Sequence, residues 1–319
     1  MKILANDGIS PEGVAALEQS GFEVSTTNIP QDQLIETINE ENYVGVLVRS
    51  ATTVRAEVVD SCPGLKLIGR GGVGMDNIDV EYARSKGLHV INTPGASSQS
   101  VAEMVMGNLF ALSRSLHDAY NLMPDSGDTQ FKVLKKKYGK GQELRGKTIG
   151  IVGFGRIGQS LASYALGVGM NVRAIDMQLN PVQIPLSING AAALNVTLTP
   201  TNDLAEIIGE LDYISLHVPK QSNGAAVIND DLISKMKDGV IIVNAARGGV
   251  IDEDALLRGL AFGKIRAAGL DVFENEPNPR KDLLVNEKIA STPHIGAATT
   301  EAQTRIGLEL AEQIADLLK

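Results

Sequence analysis

Residues 148–176 read TIGIVGFGRIGQSLASYALGVGMNVRAID, and the fold hangs on them. The strand-like run TIGIV passes directly into Gly153-Phe154-Gly155-Arg156-Ile157-Gly158. Helix-like sequence follows, and the next apolar run ends on Asp176, eighteen positions past Gly158. A G-x-G-x-x-G between strand and helix, with an acid at the end of the next strand, is the pattern of a dinucleotide site. Each part has a task. Gly153 allows the tight turn, Gly155 lets backbone approach a pyrophosphate, and Gly158 permits close helix–strand packing. The helix N-terminus then offers free N–H groups to the phosphates. Asp176 can accept hydrogen bonds from ribose hydroxyls and would repel a 2′-phosphate, which favours NAD over NADP. An S-adenosylmethionine site and a purely structural turn are the competing readings, and the dinucleotide site is favoured over both.

The alternation extends in both directions. Upstream, KILAN, FEVST, VGVLVRS, LKLIGRGG and LHVINTPG are strand-like, with helices after Pro11, near residues 31–39 and at residues 80–85. Downstream come LDYISLHVP, GVIIVNAARGG, IRAAGLDVF and KIAST, separated by helix-like sequence. Strands alternating with helices indicate βαβ units and parallel sheets. Residues 97–117 read as one long helix, and the lysine-rich segment after it, through residues 132–140, as a solvated loop between domains. The last helix begins at Thr300, with Gln303 spaced as a capping box.

At 319 residues the chain has room for about two domains. A net charge of −9 argues against broad nucleic-acid or anionic-membrane binding. Cys62 is the single cysteine, so neither an intrachain disulfide nor a cysteine-based metal site is expected, which fits the reducing cytoplasm. The N-terminus lacks the apolar stretch of a signal peptide, and no segment approaches the length of a membrane span.

Ligands of doubly wound sheets sit outside the C-terminal strand ends. Three chemically apt residues fall there: Arg247 after IIVNAA, Glu276 in LDVFENEP, and His294 after KIASTP. Oxidation of a 2-hydroxy acid needs such a set. A guanidinium grips the carboxylate in a fork. An imidazole takes the hydroxyl proton as hydride leaves C2. A carboxylate behind the imidazole orients it and favours its charged form. His89 and His117 lack such a setting, and His217 reads as a wall beside the cofactor.

Together, VLVRSATTV, LIGRGGVGMDNID, VINTPGASSQSVAE, GKTIGIVGFGRIG, NAARGGVIDEDAL, LDVFENEP and TPHIGAATTEAQ resemble the D-2-hydroxyacid dehydrogenases over essentially the whole chain. The resemblance implies two α/β domains, each built on a doubly wound parallel sheet and separated by a cleft. Residues 1–96 and 298–319 would form a flavodoxin-like substrate domain, and residues 97–297 a Rossmann cofactor domain inserted into it. It implies Arg247, Glu276 and His294 as the catalytic set. The implied NAD contacts are Val73, Arg156, Ile157, Asp176, Val218, Pro219, Ala245, Ala246, Asp271 and the run from His294 through Gly296 to Ala297. A homodimer joined through the cofactor domains and a small anionic substrate are implied as well. Glu276 separates the chain from formate dehydrogenases of this fold, which resemble the pattern but carry glutamine there.

Arg49 and Arg70 end strands of the first half, with Gly71 and Gly72 following Arg70. Arg247 already answers one carboxylate, so two further arginines suggest a second anionic group, and a phosphate suits their donors. The expected substrate is therefore 3-phosphoglycerate, a place in serine biosynthesis, with the lysines of residues 132–140 adding long-range attraction. Alternatives are a glyoxylate or hydroxypyruvate reductase, and a corepressor-like scaffold that keeps fold and triad. Long relatives carry a regulatory domain beyond this length, so feedback by serine is not expected. The loop HVPKQSNG is an atypical version of its counterpart.

Overall fold

The computed structural model describes every residue except Ile188, Ala191, Ala193 and Lys319. The chain divides into two compact units, one made of Met1–Ser100 with Ala297–Lys319 and the other of Val101–Gly296.

In the first unit the short apolar runs become β1 (Lys2–Ala5), β2 (Glu23–Ser25), β3 (Tyr43–Val48), β4 (Leu67–Arg70) and β5 (His89–Asn92). Between them lie α1 (Pro11–Gln19), α2 (Leu34–Glu40), α3 (Ala56–Ser61) and α4 (Val80–Ser85). All pairings are parallel, in the order β2-β1-β3-β4-β5, the flavodoxin-like arrangement. Strand alternation assigns the two faces. Leu4, Val46, Val48 and Ile68 pack with Leu34, Ile38, Val58 and Val59. Ile3, Leu47 and Leu67 pack with Leu17 and with Ile306, Leu310 and Ile314 of α12 (Thr300–Leu318). Each such side chain contributes about 1.5–3 kcal/mol on burial. Helix α1 starts as its sequence suggests, with Pro11 in the first turn and Ser10 Oγ accepting the Gly13 N–H.

In the second unit, β6 (Thr148–Val152), β7 (Asn171–Ile175), β10 (Tyr213–Leu216), β11 (Val240–Asn244), β12 (Ile265–Leu270) and β13 (Ile289–Ser291) form a parallel sheet ordered β13-β12-β11-β10-β6-β7. Its central strands are buried on both faces, which is why they read as continuous apolar runs. Helix α7 (Arg156–Gly167) follows β6, α8 (Leu204–Ile207) precedes β10, α9 (Asp230–Lys235) precedes β11, α10 (Glu253–Ala261) follows β11, and α11 (Lys281–Leu284) precedes β13. The strand order reverses between β6 and β10, placing a crevice at their C-terminal ends. No helix among the described residues is long and apolar enough to cross a membrane.

Four local expectations need correcting. The helix expected over residues 97–117 is two: α5 (Ser98–Arg114) ends at Ser115, whose φ of 51° is left-handed, and α6 (Leu116–Lys137) begins next. The lysine-rich segment is therefore not a loop up to Lys137. It ends α6, where cations favour the helix dipole, despite Pro124 inside and a kink at Gln130. Helix α12 is capped by Thr299 rather than Thr300: Thr299 Oγ1 accepts the Ala302 N–H, while the Gln303 amide reaches the Ala297 carbonyl. Finally, β8 (Val182–Leu186) and β9 (Leu194–Leu198) form an antiparallel hairpin where helix-like sequence was expected. Ile184 of this hairpin is buried in the same core cluster as Ile149 and Leu161.

Candidate active site

The side chains singled out after TIGIV, YISL, VIIVN, IRAAGL and IAS all belong to the C-terminal edge of the six-stranded sheet. Arg247, Glu276 and His294 follow three adjacent strands, β11, β12 and β13.

His294 and Glu276 are in direct contact. The imidazole Nδ1 lies 2.8 Å from Glu276 Oε2. With Nδ1–H donated to the carboxylate, Nε2 is the nitrogen left to exchange a proton. Glu276 is itself oriented, because its Oε1 accepts the Phe273 N–H at 2.9 Å. His294 has a φ of 55°, uncommon for a side chain of this size, and the surroundings over-determine it. Asp271, 2% exposed, receives three donors from the same turn: Thr292 Oγ1 at 2.6 Å, Ile295 N–H at 2.9 Å and Gly296 N–H at 2.8 Å. These bonds fall on both sides of His294. Asp271 was expected as a cofactor contact, and its carboxylate is engaged in holding the turn that carries His294.

Arg247 sits in a similarly braced turn. Buried Asn244 accepts the Ala246 N–H through Oδ1 and donates Nδ2–H to the Arg247 carbonyl. The Arg247 guanidinium donates to the Ala246 carbonyl at 2.6 Å. Gly248 is required by close approach, since a Cβ there would collide with the Phe273 carbonyl. The Arg247 turn and the Glu276 turn thus touch directly.

The glycine-rich loop has the geometry its spacing suggests. Gly153 has a φ of 92°, and a Cβ on it would come within 2.6 Å of the His217 carbonyl. A Cβ at Gly158 would collide with the Gly153 carbonyl, while one at Gly155 would meet no protein atom within 4 Å. Gly155 is the N-cap of α7 and no side chain caps the helix, so its first N–H groups are open to an anion. Asp176 has a second task, accepting the Phe154 N–H at 2.6 Å and the Gln178 N–H at 2.9 Å, which ties the glycine turn to the end of β7. His217 stands at the end of β10 with Nε2 2.8 Å from Ser215 Oγ. Burial pushes its pKa down to about 4, so the ring is neutral at physiological pH. Its Nδ1 is buried and lacks a hydrogen-bond partner among the described residues. An uncapped helix N-terminus, a glycine with open space, a ribose-competent carboxylate and an orphaned imidazole nitrogen together fit a bound dinucleotide. Arg156 and Ile157 open α7, and Val218, Pro219, Ala245 and Ala246 lie in the loops after β10 and β11, whereas Val73 and Ala297 fall in the first unit.

The substrate-binding candidates of the first unit are Arg49, Arg70, Gly71 and Gly72. The backbone of Arg49 is pinned at the end of β3: its N–H goes to Asp7 Oδ2 at 2.6 Å and its carbonyl accepts from Asn77 Nδ2 at 3.0 Å. Arg70 lays its guanidinium on its own loop, donating to the Gly71 carbonyl at 3.2 Å and packing over Gly72. Lys137 pairs with Asp118 at 2.7 Å and with Glu287 at 3.3 Å. Glu287 precedes β13 whereas His294 follows it, so Lys137 lies at the opposite edge of the sheet from Arg247, Glu276 and His294. Sequence reasoning missed Asp7, Asn77, Asn244 and Thr292 because each acts on backbone or on another brace. Only a short polar residue beside a strand end could have flagged them.

Comparison with known proteins agrees with this geometry. The family described as D-isomer specific 2-hydroxyacid dehydrogenase, NAD binding domain, matches residues 106–296. A hydroxypyruvate reductase of Thermotoga maritima is 43% identical over 317 residues, covering 98% of this chain and 97% of that protein. A D-3-phosphoglycerate dehydrogenase of Methanocaldococcus jannaschii is 41% identical over 319 residues, all of this chain but 58% of the relative. The crystal structure of the TT0316 protein of Thermus thermophilus superposes with a TM-score of 0.84 at 30% identity, covering 98% of this chain and 95% of that one.

Proposed function

Because the chain belongs to the D-isomer specific 2-hydroxyacid dehydrogenase family, with NAD as its cofactor, we propose that it interconverts 3-phosphoglycerate and the corresponding 2-oxo acid. The observation that carries the chemistry is the 2.8 Å contact between His294 and Glu276, next to the Arg247 strand end. In this reading, Arg247 holds the substrate carboxylate through two parallel N–H donors. His294 Nε2 accepts the C2 hydroxyl proton in oxidation and returns it in reduction. Glu276 fixes the tautomer and stabilises the positive charge that the ring takes on. When bound, NAD supplies the acceptor for the hydride leaving C2. Asp176 and the uncapped first turn of α7 would hold its ribose and phosphates.

The phosphate reading rests on Arg49, whose backbone is fixed while no ion pair is recorded for its side chain among the described residues. Hydroxypyruvate is the second reading, favoured by the similarity to the Thermotoga maritima reductase over nearly the full length of both chains. Steady-state kinetics decide between them: kcat/KM with NADH for the 2-oxo acid of 3-phosphoglycerate, against that for hydroxypyruvate and glyoxylate. A higher value for hydroxypyruvate than for the phosphorylated pair, measured in the same direction, would replace the phosphate reading. The homodimer belongs to the same proposal. Tyr120, Met123, Phe131 and Val133 of α6 are all exposed, an apolar grouping that suits a protein contact. Sedimentation of the chain as a monomer would remove it.

A further inference from the structure

Glu253 opens α10 six residues after Arg247 and is only 5% exposed, an unusual place for a glutamate. It is not there as a cap. Asp252 already caps α10 by accepting the Ala255 N–H at 2.9 Å. Instead Glu253 Oε1 accepts the Glu274 N–H at 2.9 Å, while Oε2 is buried with no hydrogen-bond partner among the described residues. The neighbouring N–H, that of Phe273, is the one donated to Glu276 Oε1. Two successive N–H groups of one turn are thus held by two carboxylates, and the second of these carboxylates orients His294. The far side of the segment is strapped to the same helix start, because Arg280 Nη1 donates to Asp254 Oδ1 at 2.5 Å. Burial raises the Glu253 carboxyl above its ordinary range, with Glu274, Arg280 and Asp282 as the charged groups facing it. A buried carboxylate satisfied at one oxygen is costly to keep unless the bond it makes has a use.

We propose that Glu253 is a positioning residue for the Glu276–His294 pair, holding through the Glu274 N–H the turn from which Glu276 reaches the imidazole. The inference rests on the reading of that pair as the proton-transfer group. A small displacement of a catalytic side chain is enough to slow turnover while leaving ligand affinity intact.

The test uses the full chain with Glu253→Ala, Glu253→Asp and Glu253→Gln. Each is assayed with NADH and hydroxypyruvate and with NAD and 3-phosphoglycerate, beside NADH binding by fluorescence. Asp keeps the charge but is one methylene too short to reach Glu274, and it reports even if the Ala variant does not fold. Glu253→Ala and Glu253→Asp should lower kcat about tenfold, with NADH Kd within about twofold of the parent. Glu253→Gln, whose amide oxygen can accept the same N–H, should stay within about threefold of the parent. Parental kcat in the Asp variant, a Gln variant as slow as Asp, or a loss confined to NADH affinity would each overturn the proposal. His294→Ala, run alongside, keeps the two readings apart. If it is inactive while the Glu253 variants are silent, only the positioning role falls. If it retains turnover, the pair is not the proton-transfer group and both fall.

Discussion

Two parallel sheets in this chain carry functional candidates at their C-terminal edges, and they hold them differently. On the six-stranded sheet the reactive side chains are themselves bonded: Glu276 to His294 and to Phe273 N–H, with Asp271 closing the turn around the histidine. On the five-stranded sheet only the backbone of Arg49 is fixed, by Asp7 and Asn77, and its side chain carries no recorded ion pair among the described residues. On the proposed reading, the difference matches two kinds of work. Proton transfer needs atoms held within tenths of an ångström before substrate arrives. Recognition of a substrate's outer group tolerates a side chain that settles on binding, at some entropic cost.

The strongest way to break the comparison is at His294. His294→Ala should lower kcat by about 10²–10⁴-fold, since that is the usual worth of a general acid–base. NADH binding, followed by fluorescence, should persist. A kcat close to the parent would mean that the prewired edge does not carry the chemistry.

A second expectation concerns the neutral imidazole on the same edge. The pKa of His217 is depressed on folding, so its contribution to stability is complete above pH about 6.5 and is lost as pH falls toward about 4. The loss should reach up to roughly 3 kcal/mol. Urea unfolding of His217→Asn beside the parent should show a shallower fall across that window. Parallel curves would place the ring in contact with water.

Arg49 sharpens the contrast from the other sheet. Arg49→Ala should raise KM for 3-phosphoglycerate by about tenfold, as expected for one lost charged contact, with kcat and the KM for unphosphorylated glycerate little changed. Equal losses on both substrates would assign Arg49 to the fold or to the carboxylate. The smallest effect is expected at the wrong end of the six-stranded sheet. Lys137→Met breaks two ion pairs of a side chain that is 40% exposed, and should cost about 1 kcal/mol or less of stability. Its kcat/KM should match the parent at low and moderate salt. A salt-sensitive change would restore the steering role expected of these lysines.

The elements that could be read in the sequence share a cause. Thr148–Val152, Tyr213–Leu216 and Val240–Asn244 are buried on both faces, so their apolar runs are unbroken and their ends are marked by Gly, His or Asn. Helix α6 could not be read this way. Its composition is polar and broken by Pro124, and it is held by Asp118, Lys137, Tyr138 and Glu287, the last of these 150 positions from Lys137. The hairpin was hidden by Pro185, which argues against a strand, and by a weak alternation with one deeply buried member, Ile184.

At the site the division is similar. Residue type and strand-end position were enough to single out the glycine loop, Asp176, Arg247, Glu276 and His294 as candidates, because nucleotide binding and hydroxy-acid oxidation restrict which side chains can serve. Those choices are chemical, and a linear string records them. Which groups hold those side chains in place was decided only by the tertiary structure. Asp271, Asn244 and Glu253 act by accepting backbone N–H groups from turns 2 to 25 residues away, and every residue but proline offers the same donor. The pairing of Lys137 was likewise settled by the acceptors nearest in space, the carboxylates of Asp118 and Glu287.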